Sequence, residues 1–279
     1  MPDFKDITVH VNTDESCAAR LDVAMDLARR FEAHLTGLCI DPGLRLPVTS
    51  EIPLPAEVAE QAEQLRKERI DKMRTTFDEA THAAEFPVEW RYIDRELVTA
   101  LNLNARYCDL LLLGQDQPGR GDYVVGGLPD QVVMSAGVPV LVVPYIGVQQ
   151  AIGRRILLAW NGSREAIRAA HDALPLLNGA DTVVVLSIDP DEDAVNPTHL
   201  PGADLATHLA RHGVKVQAET YRMGAGMNVA DALLSHVADI DADLVVMGAY
   251  GHWRWRELLL GGATRKILET MTVPTLLSH

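Results

Sequence analysis

The sequences DLLLLG at residues 109–114 and DLVVMG at residues 243–248 are two copies of one pattern, an aspartate followed by apolar residues and a glycine. Neither run alternates apolar with polar residues, and unbroken apolar runs are typical of strands that are covered on both faces of a parallel sheet. The second copy leads directly into further glycines. The pattern therefore predicts buried parallel strands, one of which ends in a glycine-rich loop.

The match between the two halves of the chain extends beyond this pattern. Gly126-Gly127 stands in register with Gly261-Gly262, and both pairs precede a helical stretch. We therefore predict two tandem units, residues 1–146 and residues 147–279. A polar stretch with glycines near both ends, Ile146–Gly153, is the predicted linker.

Each unit alternates strands with helices, and parallel crossovers of this kind are right-handed in nearly all cases. The sequence predicts an α/β fold of two tandem Rossmann-like, doubly wound units, each with a five-stranded, mainly parallel sheet flanked by helices. The first unit also carries a long charged helix from Ala56 to about Ala83. We expect the units to pack face to face as an internal pseudo-dimer through the final strands Val138–Val143 and Val273–Leu277. Whether whole chains pair into a homodimer is left open.

Charge and composition exclude several classes of function. The chain has 279 residues and a formal net charge of -14, with an acidic excess in both halves, which argues against broad binding to nucleic acids or anionic membranes. The cysteines Cys17, Cys39 and Cys108 show no metal-binding spacing and fit a reducing cytoplasm. No secretory signal and no apolar run of about 20 residues is visible, so we expect a cytoplasmic protein.

The glycines that follow the second copy have the layout of a phosphate-binding loop. Two residues separate Gly248 from Gly251, and nine more precede Gly261-Gly262, which opens a helix. Glycine lets bare backbone approach an anion, and a helix start presents unpaired N–H groups at the positive end of its dipole. Thr264 adds a hydroxyl in the first turn of that helix. The alternative for Gly261-Gly262 is a plain tight turn.

Charged and titratable side chains accompany this loop. Four basic residues either offset the charge of a bound polyphosphate or form a solvated helix face. His252 either contacts a phosphate or is an ordinary surface histidine. The basic residues are Arg254, Arg256, Arg265 and Lys266.

Two other strand ends are expected to complete the site. Ser163 precedes a helix, so its hydroxyl is predicted to cap that helix. The amide of Asn161 could meet a ribose hydroxyl or form an ordinary turn. Topology brings the main chain of Ile188 to the same edge, where it could meet an adenine. The helix after Ser163 is predicted to bury a stripe formed by Ala166, Ile167, Ala170, Ala173, Leu174 and Leu177.

The segment GAYGHWRWRELLLGG at residues 248–262, followed by Ala263-Thr264, resembles the nucleotide loop of the universal stress protein family in its tandem form. In that family two glycines are separated by two residues and followed, nine residues later, by a glycine and a serine or threonine. Here Gly262 stands at the hydroxyl position, and Asn161 stands where ATP-binding members usually carry aspartate. The resemblance implies ATP or ADP, with or without Mg²⁺, in the second unit. The residues implied in binding are Asn161, Ser163, Ile188, Gly248, Gly251, His252, Gly261, Gly262, Ala263 and Thr264.

The first unit departs further from that pattern. Gln117-Pro118 lies where the second glycine belongs, and Pro129 replaces the downstream threonine. Proline fixes φ and removes a backbone donor. We expect this unit to bind nucleotide poorly or not at all and to act as a scaffold, although Gly119, Gly121 and Gly126-Gly127 could form an altered loop for another ligand.

No nucleophile elbow, Walker motif or metal cluster is visible, so no catalytic or metal-binding residue is assigned. The leading hypothesis is a nucleotide-binding protein of stress response or regulation, whose occupied loop is read by protein partners. Two alternatives stay open. One is an interaction scaffold that binds no nucleotide, consistent with the departures at Asn161 and Gly262. The other is an enzyme that slowly hydrolyses ATP or adenylates a substrate.

Overall fold

The computed structural model describes residues 3–41, 55–117, 127–148, 150–188, 202–224, 226–251 and 262–279. Within these ranges the chain forms ten strands and nine helices. The strands are β1 (Asp6–Val11), β2 (His34–Ile40), β3 (Val88–Ile93), β4 (Leu110–Gly114), β5 (Val140–Val143), β6 (Arg155–Ala159), β7 (Thr182–Ile188), β8 (Val216–Tyr221), β9 (Leu244–Gly248) and β10 (Thr275–Ser278). The helices are α1 (Cys17–Phe31), α2 (Ala56–Thr81), α3 (Leu97–Ala105), α4 (Leu128–Val133), α5 (Arg164–Asp172), α6 (Leu174–Asn178), α7 (Ala203–Arg211), α8 (Val229–Asp239) and α9 (Gly262–Thr270).

The strands of the described residues join one sheet in the order β3-β2-β1-β4-β5-β10-β9-β6-β7-β8. Within each half, neighbouring strands are parallel. The first strand of each half, β1 or β6, pairs with the second strand on one side and the fourth on the other. This is a doubly wound arrangement, and it confirms the predicted α/β fold of two tandem Rossmann-like units.

The two halves meet where β5 pairs with β10 in an antiparallel register that places Leu141 opposite Leu276. The predicted use of the final strands is therefore confirmed. The predicted face-to-face packing is wrong, because the halves join edge to edge through backbone hydrogen bonds. An unpaired edge strand presents a row of free backbone N–H and C=O groups. Here β5 and β10 form hydrogen bonds with each other through these groups.

Two apolar cores cover opposite faces of the sheet, and each core draws residues from both halves. On one face, α1 and α2 of the first half and α5, α6 and α7 of the second contribute buried residues such as Leu21 and Leu177. On the other face, α3 and α4 lie with α8 and α9, which contribute residues such as Leu101 and Leu233. The halves therefore share both cores.

The aspartates that begin the repeated pattern bind backbone at the amino ends of the strands, opposite the carboxyl ends where the site is predicted. The carboxylate of Asp243 accepts hydrogen bonds from the backbone N–H groups of residues 153–155 at 2.6–3.1 Å. Asp109 accepts from the N–H groups of Lys5 at 2.7 Å and Asp6 at 3.0 Å. Each aspartate therefore fixes the start of the first strand in its half.

The long charged helix predicted in the first unit is confirmed as α2, which ends at Thr81, two residues before the predicted end. Its buried residues are Met73, Phe77 and Thr81, all in the C-terminal part of the helix. Within the described part of the chain, no helix combines the length and apolar character that crossing a membrane requires.

Candidate functional site

The carboxyl ends of β6, β7 and β9 meet at one edge of the second half. Because Ala159 pairs with Leu186, Asn161 and Ile188, each two residues further along, reach the same edge. Gly248, the last residue of β9, lies on the other side of β6. The chain leaves β6 toward β7 on one side and leaves β9 toward β10 on the other side. A doubly wound sheet binds its ligands in the crevice between two such strands.

The turn after β6 is held by its own side chains. The Oδ1 atom of Asn161 accepts a hydrogen bond from the N–H of Ser163 at 3.0 Å. The Oγ atom of Ser163 accepts from the N–H of Ala166 at 3.2 Å, which makes Ser163 the N-cap of α5. Gly162 has φ 71°, a conformation that favours glycine. Asn161 thus forms the turn, and it is exposed.

Gly248 and Gly251 bring bare backbone against the first turn of α5. A Cβ atom on Gly248 would lie 2.5 Å from the backbone N of Ala166 and 2.9 Å from Cβ of Glu165. A Cβ atom on Gly251 would lie 2.7 Å from Oε2 of Glu165 and 3.2 Å from Oγ of Ser163. Ordinary contacts are 3.4–4 Å, so the close approach at Gly248, which is to backbone, requires a residue without a side chain.

The helix after the loop begins at Gly262 and carries the other predicted residues. Gly262 is exposed, and a Cβ atom there would meet none of the described residues within 4 Å. Ala263 is half-buried. Thr264 is 4% exposed, and its Oγ1 atom accepts a hydrogen bond from the N–H of Tyr250 at 3.3 Å. The threonine hydroxyl therefore serves the loop itself in this structure.

Charges near the site have both signs. Glu165, in the first turn of α5, places its carboxylate against Gly251 and so opposes a polyanion. Arg265 is exposed and pairs with Glu269 at 3.2 Å, and Lys266 is exposed, so this part of the basic cluster forms a solvated helix face. The remaining predicted residues lie outside the described residues: Pro118, Gly119, Gly121, Gly126, His252, Arg254, Arg256 and Gly261.

One residue of the loop that the sequence analysis did not select is Tyr250. It has φ 55°, and its hydroxyl donates a hydrogen bond to Oδ1 of Asp130 in α4 of the first half. Burial and then Asp130 raise the pKa of the Tyr250 hydroxyl well above its usual value. An aromatic residue between two glycines was the only signal in the sequence, and nothing in it pointed to Asp130.

In the first half, a carboxylate binds the backbone N–H groups at the start of α4, the helix that corresponds to α9 in the second half. Oδ2 of Asp116 accepts hydrogen bonds from the N–H groups of Gly127 at 2.6 Å and Leu128 at 3.0 Å, which open α4. Burial raises the pKa of Asp116, and the neighbouring carboxylates of Asp130 and Asp14 act in the same direction. The anion-binding amides at this helix start are therefore already used.

A buried arginine fills the crevice beside β1 and β4. Arg20 is fully buried and donates through Nη2 to Oδ1 of Asn12 at 2.7 Å and through Nε to the carbonyl of His10 at 2.9 Å. Its Nη1 atom lies 2.1 Å from where a Cβ atom on Gly114 would be. Gly114 corresponds to Gly248, so a side chain of the protein takes the space beside this glycine.

The adjoining strand ends of the first half are closed by ion pairs. Asp41, which follows β2 and is 4% exposed, pairs with Nη2 of Arg69 at 2.9 Å. Arg66 pairs with Asp94, which follows β3, at 2.9 Å. Both arginines belong to α2. This helix therefore covers the edge of the first half that corresponds to the edge formed by Ile188 in the second half.

Across the ranges that the structure describes, no group of three or more histidine, cysteine, aspartate or glutamate residues is arranged to hold a metal ion. In the described part of the second-half edge, the polar groups are backbone amides, the side-chain amide of Asn161, the hydroxyls of Ser163 and Thr264, and the carboxylate of Glu165. Such a set suits hydrogen bonding to a ligand with several acceptors.

Two doubly wound halves that share one sheet place the chain among the doubly wound α/β proteins. The chain belongs to the universal stress protein family, whose family model matches residues 3–144 and again residues 153–279. The resemblance inferred from the loop sequence is therefore confirmed, as is the tandem form.

Solved structures share the fold at low sequence identity. A universal stress protein from Archaeoglobus fulgidus DSM 4304 is 15% identical, with 98% of this chain and 96% of that chain covered and a TM-score of 0.69. A functionally unknown protein from Pseudomonas aeruginosa PAO1 is 16% identical, with 99% and 92% covered and a TM-score of 0.54. No sequence among the curated proteins is significantly similar to the chain. These likenesses establish the fold of the whole chain.

Proposed function

We propose that the chain binds one adenine nucleotide, ATP or ADP, at the carboxyl edge of β6, β7 and β9. Occupancy of this site changes a surface that protein partners read. The role is one of stress response or regulation, in keeping with the family. Catalysis is not required for it.

The observation that carries this proposal is the contact between Gly248 and the start of α5. The strand delivers backbone directly onto the first turn of a helix, with no room for a side chain between them. Backbone N–H groups of a helix start and of a glycine loop together form a strong site for phosphate oxygens. Within the described residues, Ser163 takes the N–H of Ala166 and leaves those of residues 164 and 165 in the first turn of α5. The two are adjacent in the second half.

The other groups of the edge match the remaining parts of a nucleotide. In the described part of the chain, Asn161 uses only its Oδ1 atom in a hydrogen bond, so its NH₂ group can donate to a ribose hydroxyl. The backbone of Ile188, at the end of β7, offers hydrogen bonds of the kind that an adenine edge accepts and donates. A ribose between these two residues places the phosphates toward Gly251.

The first half contributes no second nucleotide site in this proposal. Asp116 takes the amides that would hold phosphate, and Arg20 takes the space beside Gly114. Displacing Arg20 would leave a buried charge without its partners, which costs several kcal/mol. Displacing the half-buried Asp116 would leave the N–H groups of Gly127 and Leu128 without their acceptor. We therefore expect a stoichiometry of one nucleotide per chain.

A second candidate is an interaction scaffold that binds no nucleotide. Two observations favour it: the carboxylate of Glu165 lies against Gly251, and the hydroxyl of Thr264 is occupied by Tyr250. A scaffold would need neither group to be available to a ligand.

Calorimetric titration of nucleotide-free protein with ATP and ADP separates the two candidates. Binding of one nucleotide per chain supports the proposal, and the absence of heat, together with an unchanged melting temperature in excess ATP, supports the scaffold. Gly248→Ala should abolish binding, because its methyl group would lie about 1 Å too close to the backbone of α5. Gly224→Ala is the matched control, because a Cβ atom on Gly224 would meet none of the described residues within 4 Å and this glycine has no part in the candidate site, so the variant should bind as the wild type does.

A further inference from the structure

Tyr250 connects the candidate nucleotide loop to the other half of the chain. It lies between Gly248 and Gly251, and its hydroxyl donates to Asp130 in α4 of the first half. The contact joins residues that are 120 positions apart in the sequence. The geometry of the second-half loop therefore depends on a residue of the first half.

The backbone of Tyr250 is in a conformation that an aromatic residue seldom adopts. Its φ of 55° lies in the left-handed region, which costs of order 1 kcal/mol for a residue with a Cβ atom. Such a conformation persists only where surrounding contacts fix it. The N–H of Tyr250 donates to Thr264, and the N–H of Ala249 donates to the carbonyl of Ser278 at 2.8 Å. The side-chain hydroxyl adds a third point of attachment.

Asp130 is held in a defined position by the start of α4. The N–H groups of Gly127 and Leu128 donate to Asp116, and Gly127 has φ 78°. Asp130 stands in the first turn of this capped helix and is half-buried. A side chain anchored to it is therefore fixed relative to the sheet.

We propose that Tyr250 is a positioning residue for the nucleotide site, and that the first half completes this site by supplying Asp130 as its hydrogen-bond acceptor. The hydrogen bond holds the loop in the left-handed turn at Tyr250, and this turn sets the direction in which Gly251 presents its N–H group. The inference rests on the proposed function for its ligand. It gives the first half a task beyond that of a scaffold.

The test compares four single variants and one double variant of the full chain, without ligand and with ATP. Tyr250→Phe removes the hydroxyl, Asp130→Ala removes the acceptor, and Asp130→Asn keeps an acceptor oxygen while removing the charge. Tyr107→Phe is the control, because Tyr107 is 80% exposed and lies just before β4, at the end of the sheet opposite the candidate site. Thermal unfolding establishes that each variant is folded.

The readout without ligand is hydrogen exchange of the amides of Ala249 and Tyr250, which report the two loop hydrogen bonds directly. We expect exchange at least tenfold faster in Tyr250→Phe and in Asp130→Ala, with Asp130→Asn and Tyr107→Phe close to the wild type. The double variant Tyr250→Phe/Asp130→Ala should be no faster than the single variants, because both remove the same contact. Unchanged exchange in Tyr250→Phe overturns the inference.

The readout with ligand is the dissociation constant of ATP. We expect it to rise about tenfold in Tyr250→Phe and in Asp130→Ala, and to stay close to the wild-type value in Asp130→Asn, which keeps an acceptor. ATP binding by the wild type with an equal dissociation constant in Tyr250→Phe overturns the positioning role and leaves the proposed function intact. No ATP binding by the wild type overturns the proposed function. In that case the exchange rates alone decide whether Asp130 fixes the loop.

Discussion

The substitution Glu165→Gln should strengthen the binding of ATP about tenfold. Glu165 lies in the first turn of α5, and its carboxylate is the acidic group that touches Gly251. A negative charge at a helix start is stabilised by the helix dipole, so the side chain competes with a bound phosphate for the same positive end. Glutamine keeps the size of the side chain and removes the charge.

The magnitude follows from the position of the carboxylate. A Cβ atom on Gly251 would lie 2.7 Å from Oε2 of Glu165, so a phosphate held by the backbone there would be about 6 Å from the carboxylate. At that separation, and with an effective dielectric constant of about 40 for a half-exposed group, two unit charges repel by about 1.4 kcal/mol. This free energy corresponds to a factor of about ten in the dissociation constant.

The assay is calorimetry at low salt with EDTA, so that no divalent cation neutralises the phosphates. Adenosine should bind both proteins equally, because it lacks phosphate, and the gain for ATP should shrink as salt screens the charges. Asp181→Asn is the matched control, since it removes the same charge at the opposite edge of the sheet, where the side chain is 73% exposed. An equal or weaker affinity of Glu165→Gln for ATP would refute the reasoning.

Three further predictions concern the stability of the fold. Burial and then Arg20 lower the pKa of His10 from 6.5 to about 3. As the pH falls, His10 is therefore protonated in the unfolded chain before it is protonated in the folded chain. The stability that the neutral, buried His10 contributes is lost between about pH 6.5 and pH 3. Urea denaturation should show the wild type losing about 2 kcal/mol more than His10→Gln between pH 7.5 and pH 5, and equal losses would contradict the assigned burial. Asp243→Ala should cost about 2 kcal/mol in the same assay, because the buried N–H of Gly153 and two part-buried N–H groups lose their acceptor. Asp181→Ala, whose side chain is 73% exposed, should cost under about 0.5 kcal/mol. Gly37→Ala should lower the melting temperature, because its Cβ atom would lie 2.4 Å from the ring of Phe77 at a cost of about 1–3 kcal/mol, and Phe77→Leu should partly restore it.

The fold was predictable because its signals are local and repeated. Apolar runs such as 110–113 and 183–186 identify buried parallel strands without reference to any distant residue. The order of strands and helices then leaves few topologies. The predicted joint between the final strands was also correct, but its geometry was not, since pairing by edge or by face depends on which backbone groups remain free after each sheet forms.

Helix details show where local patterns fail. The apolar stripe after Ser163 predicted one helix, but the structure has α5 ending at Asp172 and α6 starting at Leu174, with Pro175 in its first turn. Proline cannot donate to the preceding turn, so it starts a new helix. Ile167, predicted to be buried, is 45% exposed, because the sheet is covered by Ala166, Ala169 and Ala170 instead.

The candidate site was predictable only in part, for a related reason. Glycine spacing and strand ends placed Asn161, Ile188 and Gly248 at one edge, since topology alone brings these positions together. The contact of Tyr250 with Asp130 joins the two halves, and no local pattern encodes it. The capping of α4 by Asp116 was equally hidden, because an aspartate in a loop carries no sign of which amides it will meet.

A crystal structure of the protein grown with ATP would show directly whether the second half holds a nucleotide. The account predicts one nucleotide per chain, with its phosphates on backbone N–H groups near Gly251 and at the start of α5, and with Asp116 still bound to Gly127 and Leu128. A nucleotide in the first half, or a second-half crevice that stays filled by the side chain of Glu165 at saturating ATP, would contradict it.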